Sequence, residues 1–169
     1  RFALGQLLRF SRVRFRPFID KDRLGVLAGS YGCYMTTWIV GHNKRFKAAC
    51  SERSANNLLM LEGNSDIATA FTGYYGHNAL ENPGELIRQS ASTYMADITT
   101  PLLILHSEDD GRCPVSQAEE LFAGLRLRQR EVEFVRFPGE SHEMSRSGAP
   151  RHRVQRSEVI LEWFDPFLT

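Results

Sequence analysis

The sequence predicts an α/β fold in which helices cover both faces of a mostly parallel sheet. Short apolar segments alternate with helical segments in the order strand, helix, strand, insertion, strand, helix, strand, helix, as is typical of parallel sheets buried on both faces. Polar loops follow three of the strands and contain Ser30, Asp110 and His142. Because the loops after parallel strands meet at one edge of a sheet, we expect these residues to lie close together.

The length and composition are those of one globular domain. The chain has 169 residues, of which 42% are hydrophobic and 24% are charged, and a domain of this size can bury a substantial core. The net charge of +1 produces no overall field that would attract nucleic acid or acidic lipid. The apolar runs are too short to span a bilayer, and no signal peptide is recognisable. We therefore expect no nucleic-acid partner and no membrane.

The three cysteines predict neither disulfides nor a metal site. Cys33, Cys50 and Cys113 are odd in number and irregularly spaced, which does not fit a disulfide framework or a zinc site. Reduced, buried thiols are typical of cytoplasmic proteins, and this is the location that we expect. Cys33 follows the turn around Ser30, and we interpret it as a small packed residue and not as a nucleophile.

Residues 1–18 form an atypical basic segment in which arginines alternate with apolar residues. Such a segment can bind a membrane or a partner. The favoured alternatives are a solvated helix that leads into the first strand, or an arbitrary boundary of the chain.

The first half of the chain begins with a predicted strand at residues 23–28. Small residues then break the chain sharply, a helix follows at residues 33–40, and Gly41 is expected to end it. A second buried strand is predicted at residues 46–50. Residues 51–94 are irregular, and we expect short helices and loops there that cover a site.

The second half contains the clearest strand, at residues 101–105, which is followed by a polar loop at residues 106–112. A helix is predicted from Pro114 to Arg128, because proline is favoured in the first helical turn. A strand at residues 131–137 alternates in polarity, and the last helix is predicted at residues 152–168.

Ser30 has the surroundings that a nucleophilic serine needs. Serine is a poor nucleophile unless a base takes its proton, and a sharp strand-to-helix turn raises its hydroxyl above the sheet. Such a turn requires small flanking residues, and Ala28, Gly29 and Gly32 provide them. The N–H of Tyr31 is expected to donate to the oxyanion of the reacting group.

His142 is the predicted base, because it lies in a loop just past a strand where no core pattern requires it. By contrast, His106 is interpreted as a buried histidine with satisfied nitrogens, and His42 as a helix-terminal residue that complements the helix dipole. His77 and His152 are interpreted as surface residues.

An acid must orient the base, and two candidates are adjacent. Asp109 and Asp110 both lie in the loop after the third strand, and spacing alone does not choose between them. The order serine, aspartate, histidine along the chain is that of α/β-hydrolases.

Beyond these motifs, the chain resembles the prolyl oligopeptidase family, in particular its acylaminoacyl-peptidase-like branch. The resemblance extends over about residues 19–169. The matching segments are residues 22–26, 29–32, 34–36, 38–42, 45–49, 65–67, 100–103, 110–114, 137–143 and 145–148.

The resemblance implies roles for individual residues. It implies the C-terminal part of an α/β-hydrolase catalytic domain, with Ser30, Asp110 and His142 as the triad, since the family's acid stands two residues before the arginine of its Asp-x-Arg-Cys-Pro pattern. It also implies that Arg112 binds a substrate carbonyl, although a plain salt bridge in the loop is the alternative. The implied substrates are short or N-acylated peptides, and no cofactor or metal is implied.

Three departures from the family pattern shape our expectations. Ala28 and Cys33 stand where the family has glycine. We also expect the family's N-terminal β-propeller and first sheet strands, which supply the second oxyanion donor, to be absent from these residues. The isolated fragment is then expected to be weakly active or inactive unless a complementing N-terminal chain supplies the rest. The expected partners besides the peptide substrate are this complementing chain or, in a homo-oligomer, further copies of the same chain. A carboxylesterase and a non-catalytic interaction module remain alternatives.

Overall fold

The structure, a computed structural model, describes residues 19–169 except for the side chain of Thr69. The basic segment predicted at residues 1–18 lies outside the described residues. Within residues 19–169, four strands form one parallel sheet in the order β1-β2-β3-β4. They are β1 (Gly25–Gly29), β2 (Ala48–Glu52), β3 (Leu102–Ser107) and β4 (Val132–Phe137).

Helices fill the connections between the strands. The structure has α1 (Tyr31–His42), α2 (Leu58–Asn64), α3 (Ala68–Tyr75), α4 (Pro83–Gln89), a 3₁₀ helix (Ala91–Asp97), α5 (Ser116–Leu127), α6 (Met144–Ser147) and α7 (Pro150–Leu168). The short helices between Leu58 and Asp97 form the predicted insertion. The prediction of a parallel sheet with helices on both faces is confirmed.

Alternate side chains of the strands form two hydrophobic layers, because successive residues of a strand point to opposite faces. On one face Leu102 and Ile104 pack with Ile39 of α1 and Leu121 of α5. On the other face the core is closed by α7. The buried residues of this second layer are Ala48, Cys50, Leu103, Leu105, Phe137, Met144 and Phe164.

The predicted end of α1 at Gly41 is wrong. The helix continues to His42, and Gly41 is buried within it. A glycine ends a helix when it adopts a left-handed conformation, but Gly41 is not among the described glycines with positive φ. It instead allows close packing, since an added Cβ would lie 3.2 Å from the Cβ of Tyr94.

Strands β2 and β3 end two residues later than predicted. β2 includes the buried polar residues Ser51 and Glu52, and β3 includes His106 and Ser107. Hydrogen-bond partners from other elements compensate for the burial of Ser51, Glu52 and His106. The carboxylate of Glu52, for example, accepts two hydrogen bonds from Arg156, at 2.6 and 2.7 Å. An apolar pattern cannot reveal such pairs.

Candidate active site

Ser30 lies in the sharp turn between β1 and α1. Its φ of 60° and ψ of −125° place a non-glycine residue in a strained conformation, which costs about 1–3 kcal/mol. The surrounding backbone holds it there. The Ser30 N–H donates to the carbonyl of Glu52 at 3.0 Å, and the Ser30 carbonyl accepts from the N–H groups of Cys33 and Tyr34.

Gly29 and Gly32, on either side of Ser30, have little space for a side chain. A Cβ on Gly29 would lie 2.6 Å from a guanidinium nitrogen of Arg53, and a Cβ on Gly32 would lie 2.7 Å from the Cβ of Ala28. Both distances are shorter than van der Waals contact allows. The strand and the helix therefore approach each other as the predicted turn requires.

The structure brings Ser30, His142 and Asp110 together. The Nε2 atom of His142 is 2.9 Å from the Ser30 Oγ, and its Nδ1 atom is 2.8 Å from Asp110 Oδ2. The other oxygen of Asp110 accepts from the N–H groups of Arg112 and Cys113, at 2.9 and 2.8 Å. Asp110 is buried, whereas Asp109 is exposed. Of the two adjacent aspartates, only Asp110 therefore contacts the imidazole.

His106, in β3, is a buried and neutral histidine. It is buried, its Nδ1 accepts from the Ser54 N–H at 3.2 Å, and its Nε2 donates to the Cys113 carbonyl at 2.6 Å. Burial lowers the pKa of His106 because it disfavours the charged imidazole. The interpretation of His106 as a satisfied core histidine is confirmed.

The other histidines lie elsewhere. His42 is exposed in the last turn of α1, as expected, and His77 is half-buried. The interpretation of His152 as a surface residue is wrong. Its side chain is only 12% exposed, and its Nδ1 lies 2.6 Å from the carboxylate of Glu140. The pairing depends on the meeting of α7 with the loop that contains His142, and local sequence does not encode it.

A cavity of 260 Å³ opens beside Ser30. Aromatic side chains from α3 form much of its wall, and Tyr31 and Arg112 border it. Burial raises the pKa of Tyr31 and of Tyr75, so both phenols are neutral. The cavity is therefore suited to an apolar group. Its lining residues are Ser30, Tyr31, Ala55, Ile67, Ala70, Phe71, Tyr74, Tyr75, Arg112 and Cys113.

Arg112 and Tyr31 line the same cavity as Ser30. The Arg112 Nε donates to Asp66 Oδ1 at 2.6 Å, and both side chains are partly exposed. This is the loop salt bridge that was the alternative to substrate binding, although it occupies only some of the five guanidinium N–H donors. Tyr31 is the first residue of α1, where a backbone N–H has no acceptor within the helix.

Cys33 is fully buried, and its sulfur lies 2.6 Å from the Ser51 hydroxyl. Burial raises the pKa of the Cys33 thiol, so the reactive thiolate is disfavoured.

Within residues 19–169, no group of three or more histidine, cysteine or acidic side chains is arranged to hold a metal ion. In the same part of the chain, no helix has the length and apolar composition needed to cross a membrane.

Sequence reasoning missed Arg53. Its Nη1 donates to the carbonyl of His142 and to the hydroxyl of Ser145, both at 3.0 Å. The available signal was a pair of charged residues, Glu52 and Arg53, shortly after the strand predicted at residues 46–50.

Comparisons with known proteins show which family this chain resembles. The profile described as "Prolyl oligopeptidase family" matches residues 10–169. Uncharacterized peptidase YuxL of Bacillus subtilis is 48% identical over 153 residues, which are 90% of this chain and 23% of that protein. The acylamino-acid-releasing enzyme of Rattus norvegicus is 25% identical over 152 residues, which are 85% of this chain and 20% of that enzyme.

The same relationship is found among solved structures. The acylaminoacyl peptidase of Pyrococcus horikoshii superposes with a TM-score of 0.89 at 33% identity, covering 98% of this chain and 26% of that one. The fold is therefore that of an α/β-hydrolase. The chain spans about a quarter or less of the length of these relatives.

Proposed function

The chain belongs to the prolyl oligopeptidase family, and on that premise we propose that it is a serine peptidase that acts through an acyl-enzyme on Ser30. The observation that carries the proposal is the hydrogen-bonded series from Ser30 through His142 to Asp110, with distances of 2.9 and 2.8 Å. The aromatic cavity opens at the hydroxyl end of this series.

In the proposed reaction, Ser30 Oγ attacks the substrate carbonyl carbon while His142 Nε2 takes the hydroxyl proton. The Tyr31 N–H donates to the oxyanion that forms. The C–N bond then breaks, and His142 returns the proton to the leaving amine. A water molecule, deprotonated by His142, attacks the acyl-enzyme and releases the acid and free Ser30. Asp110 orients the imidazole and stabilises its protonated form.

The proposed substrates are short peptides that are N-acylated or that have an apolar residue before the cleaved bond. The neutral, aromatic wall of the cavity supports the apolar preference, because apolar side chains gain most from leaving water there. Arg112 can donate to a substrate carbonyl while it keeps its bond to Asp66, since a guanidinium has five N–H donors. The names of the similar acylamino-acid-releasing enzymes agree with N-acylated substrates.

A fluorophosphonate probe tests the nucleophile. We expect it to label the protein at Ser30, and the Ser30→Ala variant to remain folded but unlabelled. The matched control is Ser157→Ala, which removes an exposed hydroxyl on α7 and should leave labelling unchanged. Labelling that persists in Ser30→Ala would exclude Ser30 as the nucleophile.

Comparing turnover of an acyl-aminoacyl anilide with that of a simple ester separates the peptidase from a carboxylesterase.

We also propose that the polypeptide of these 169 residues is impaired when it is assayed alone. The resemblance implies that the second oxyanion donor lies before the nucleophile strand in relatives, and loss of one donor costs about 10²–10³ in rate. Within residues 19–169, β1 pairs with a strand on one side only, and an open edge favours pairing with another chain.

Size-exclusion chromatography tests for a homo-oligomer. Turnover near that of full-length relatives would contradict the proposed impairment. A non-catalytic module would show neither labelling nor turnover.

The cytoplasm remains the proposed location. Cys33, Cys50 and Cys113 are the three cysteines of the chain, and all are buried free thiols. This state is typical of proteins in a reducing compartment.

A further inference from the structure

Arg53 has an unusual backbone conformation at the edge of the sheet. It directly follows β2 and has a φ of 51°, in the left-handed region that bulky residues rarely adopt. Its N–H donates to the carbonyl of Leu105 on β3 at 2.9 Å. Strained residues persist where the surroundings hold them, and they are concentrated at functional sites. The fold therefore keeps an arginine in an unfavourable conformation where Ser30 and His142 meet.

The guanidinium of Arg53 connects the nucleophile turn with the histidine loop. Nη1 donates to the His142 carbonyl and to the Ser145 hydroxyl, both at 3.0 Å. On the other side, a Cβ on Gly29 would lie 2.6 Å from Nη2, so the guanidinium packs directly against the residue before Ser30. One rigid, planar group therefore contacts both loops.

Hydrogen bonding alone does not account for the position of the Arg53 guanidinium. Its Nε is buried and has no hydrogen-bond partner among residues 19–169. An unpaired buried N–H is costly, and each such group in a protein requires an explanation. The guanidinium therefore makes its contacts with Gly29 and His142 at the expense of its own hydrogen bonding.

We propose that Arg53 is a positioning residue that sets the separation between His142 and Ser30, an inference that rests on the proposed function. Asp110 orients the imidazole ring through Nδ1, but it does not bond to the backbone of residue 142. Arg53 holds that backbone through the carbonyl. A displacement of about 1 Å between reacting groups can cost about 100-fold in rate, so a loosened loop should react slowly.

The test is the kinetics of fluorophosphonate labelling of the protein, because the rate constant and the amplitude report different properties. The amplitude measures the fraction of folded, competent molecules, and the rate constant measures the reactivity of each. We expect Arg53→Met to lower the rate constant about 100-fold. We expect Arg53→Lys to give an intermediate value, because one ammonium group cannot make all the contacts of the guanidinium.

The matched control is Arg156→Met. Arg156 also bonds to a residue at the end of β2, since it donates twice to Glu52, but these bonds do not reach the histidine loop. This variant should lower the melting temperature and leave the labelling rate constant unchanged. It therefore shows what the loss of a stabilising arginine does to the assay.

A rate constant for Arg53→Met within twofold of the wild type would overturn the proposal, even if the amplitude fell. If Arg53→Met does not fold, Arg53→Lys decides by the same criterion. Failure of the proposed function is a separate result, because the wild type would then resist labelling or Ser30→Ala would still be labelled.

Discussion

The substitution Gly32→Ala should damage both stability and reactivity, because Ala28 occupies the space that the new methyl group needs. The added Cβ would lie 2.7 Å from the Ala28 Cβ, about 1 Å closer than the optimal carbon–carbon distance. Both atoms are attached directly to backbone, so β1 and α1 must separate, and Ser30 lies between them. A flexible side chain cannot absorb this clash.

The magnitude follows from two opposing effects. Overpacking of this kind costs about 1–3 kcal/mol, while replacing glycine by alanine within a helix gains about 1 kcal/mol. We therefore expect the free energy of unfolding to fall by at most about 2 kcal/mol. A shift of Ser30 approaching 1 Å should lower the labelling rate constant by up to about 100-fold.

The assay combines urea unfolding with fluorophosphonate labelling of Gly32→Ala, Ala28→Gly and the double variant. Removing the Ala28 methyl should restore most of the loss in the double variant, which makes the two substitutions strongly coupled. Gly63→Ala is the matched control, because a Cβ on this glycine of α2 would meet nothing within 4 Å. The reasoning is refuted if Gly32→Ala behaves like the wild type, or if Ala28→Gly brings no recovery.

Two further predictions concern the residues around the imidazole. Asp110→Asn should lower the labelling rate constant by about 10⁴-fold, because an amide stabilises the wrong imidazole tautomer, while Asp109→Asn should have little effect; equal losses in the two variants would contradict the assignment. His106→Asn should reduce the dependence of stability on pH. Because burial lowers the pKa of His106 below its ordinary value of 6.5, the unfolded chain takes up the proton first, and the free energy of unfolding falls as the pH drops below about 6.5. Urea unfolding at a series of pH values measures this dependence, and an equal slope in the variant would show that another group causes it.

The local sequence pattern was sufficient to predict the sheet, its helices and the turn at Ser30. Apolar runs indicate buried segments, and small residues indicate sharp turns of the backbone. Both signals depend only on residues that are neighbours in the sequence. The order of the strands along the chain and the loops that follow them were therefore predicted from the sequence. The expectation that Ser30 and His142 meet was derived in the same way. The ends of β2 and β3 were predicted two residues early, because buried polar residues at those ends break the apolar pattern.

The tertiary structure decided which polar groups form pairs. Asp109 and Asp110 are adjacent and chemically identical, and only the folded loop directs one of them at His142. Arg53 bonds to a residue 89 positions away, and Arg156 bonds to one 104 positions away. Hydrophobic periodicity specifies which face of an element is buried, whereas a hydrogen bond depends on separations of a few tenths of an ångström between elements that only packing brings together.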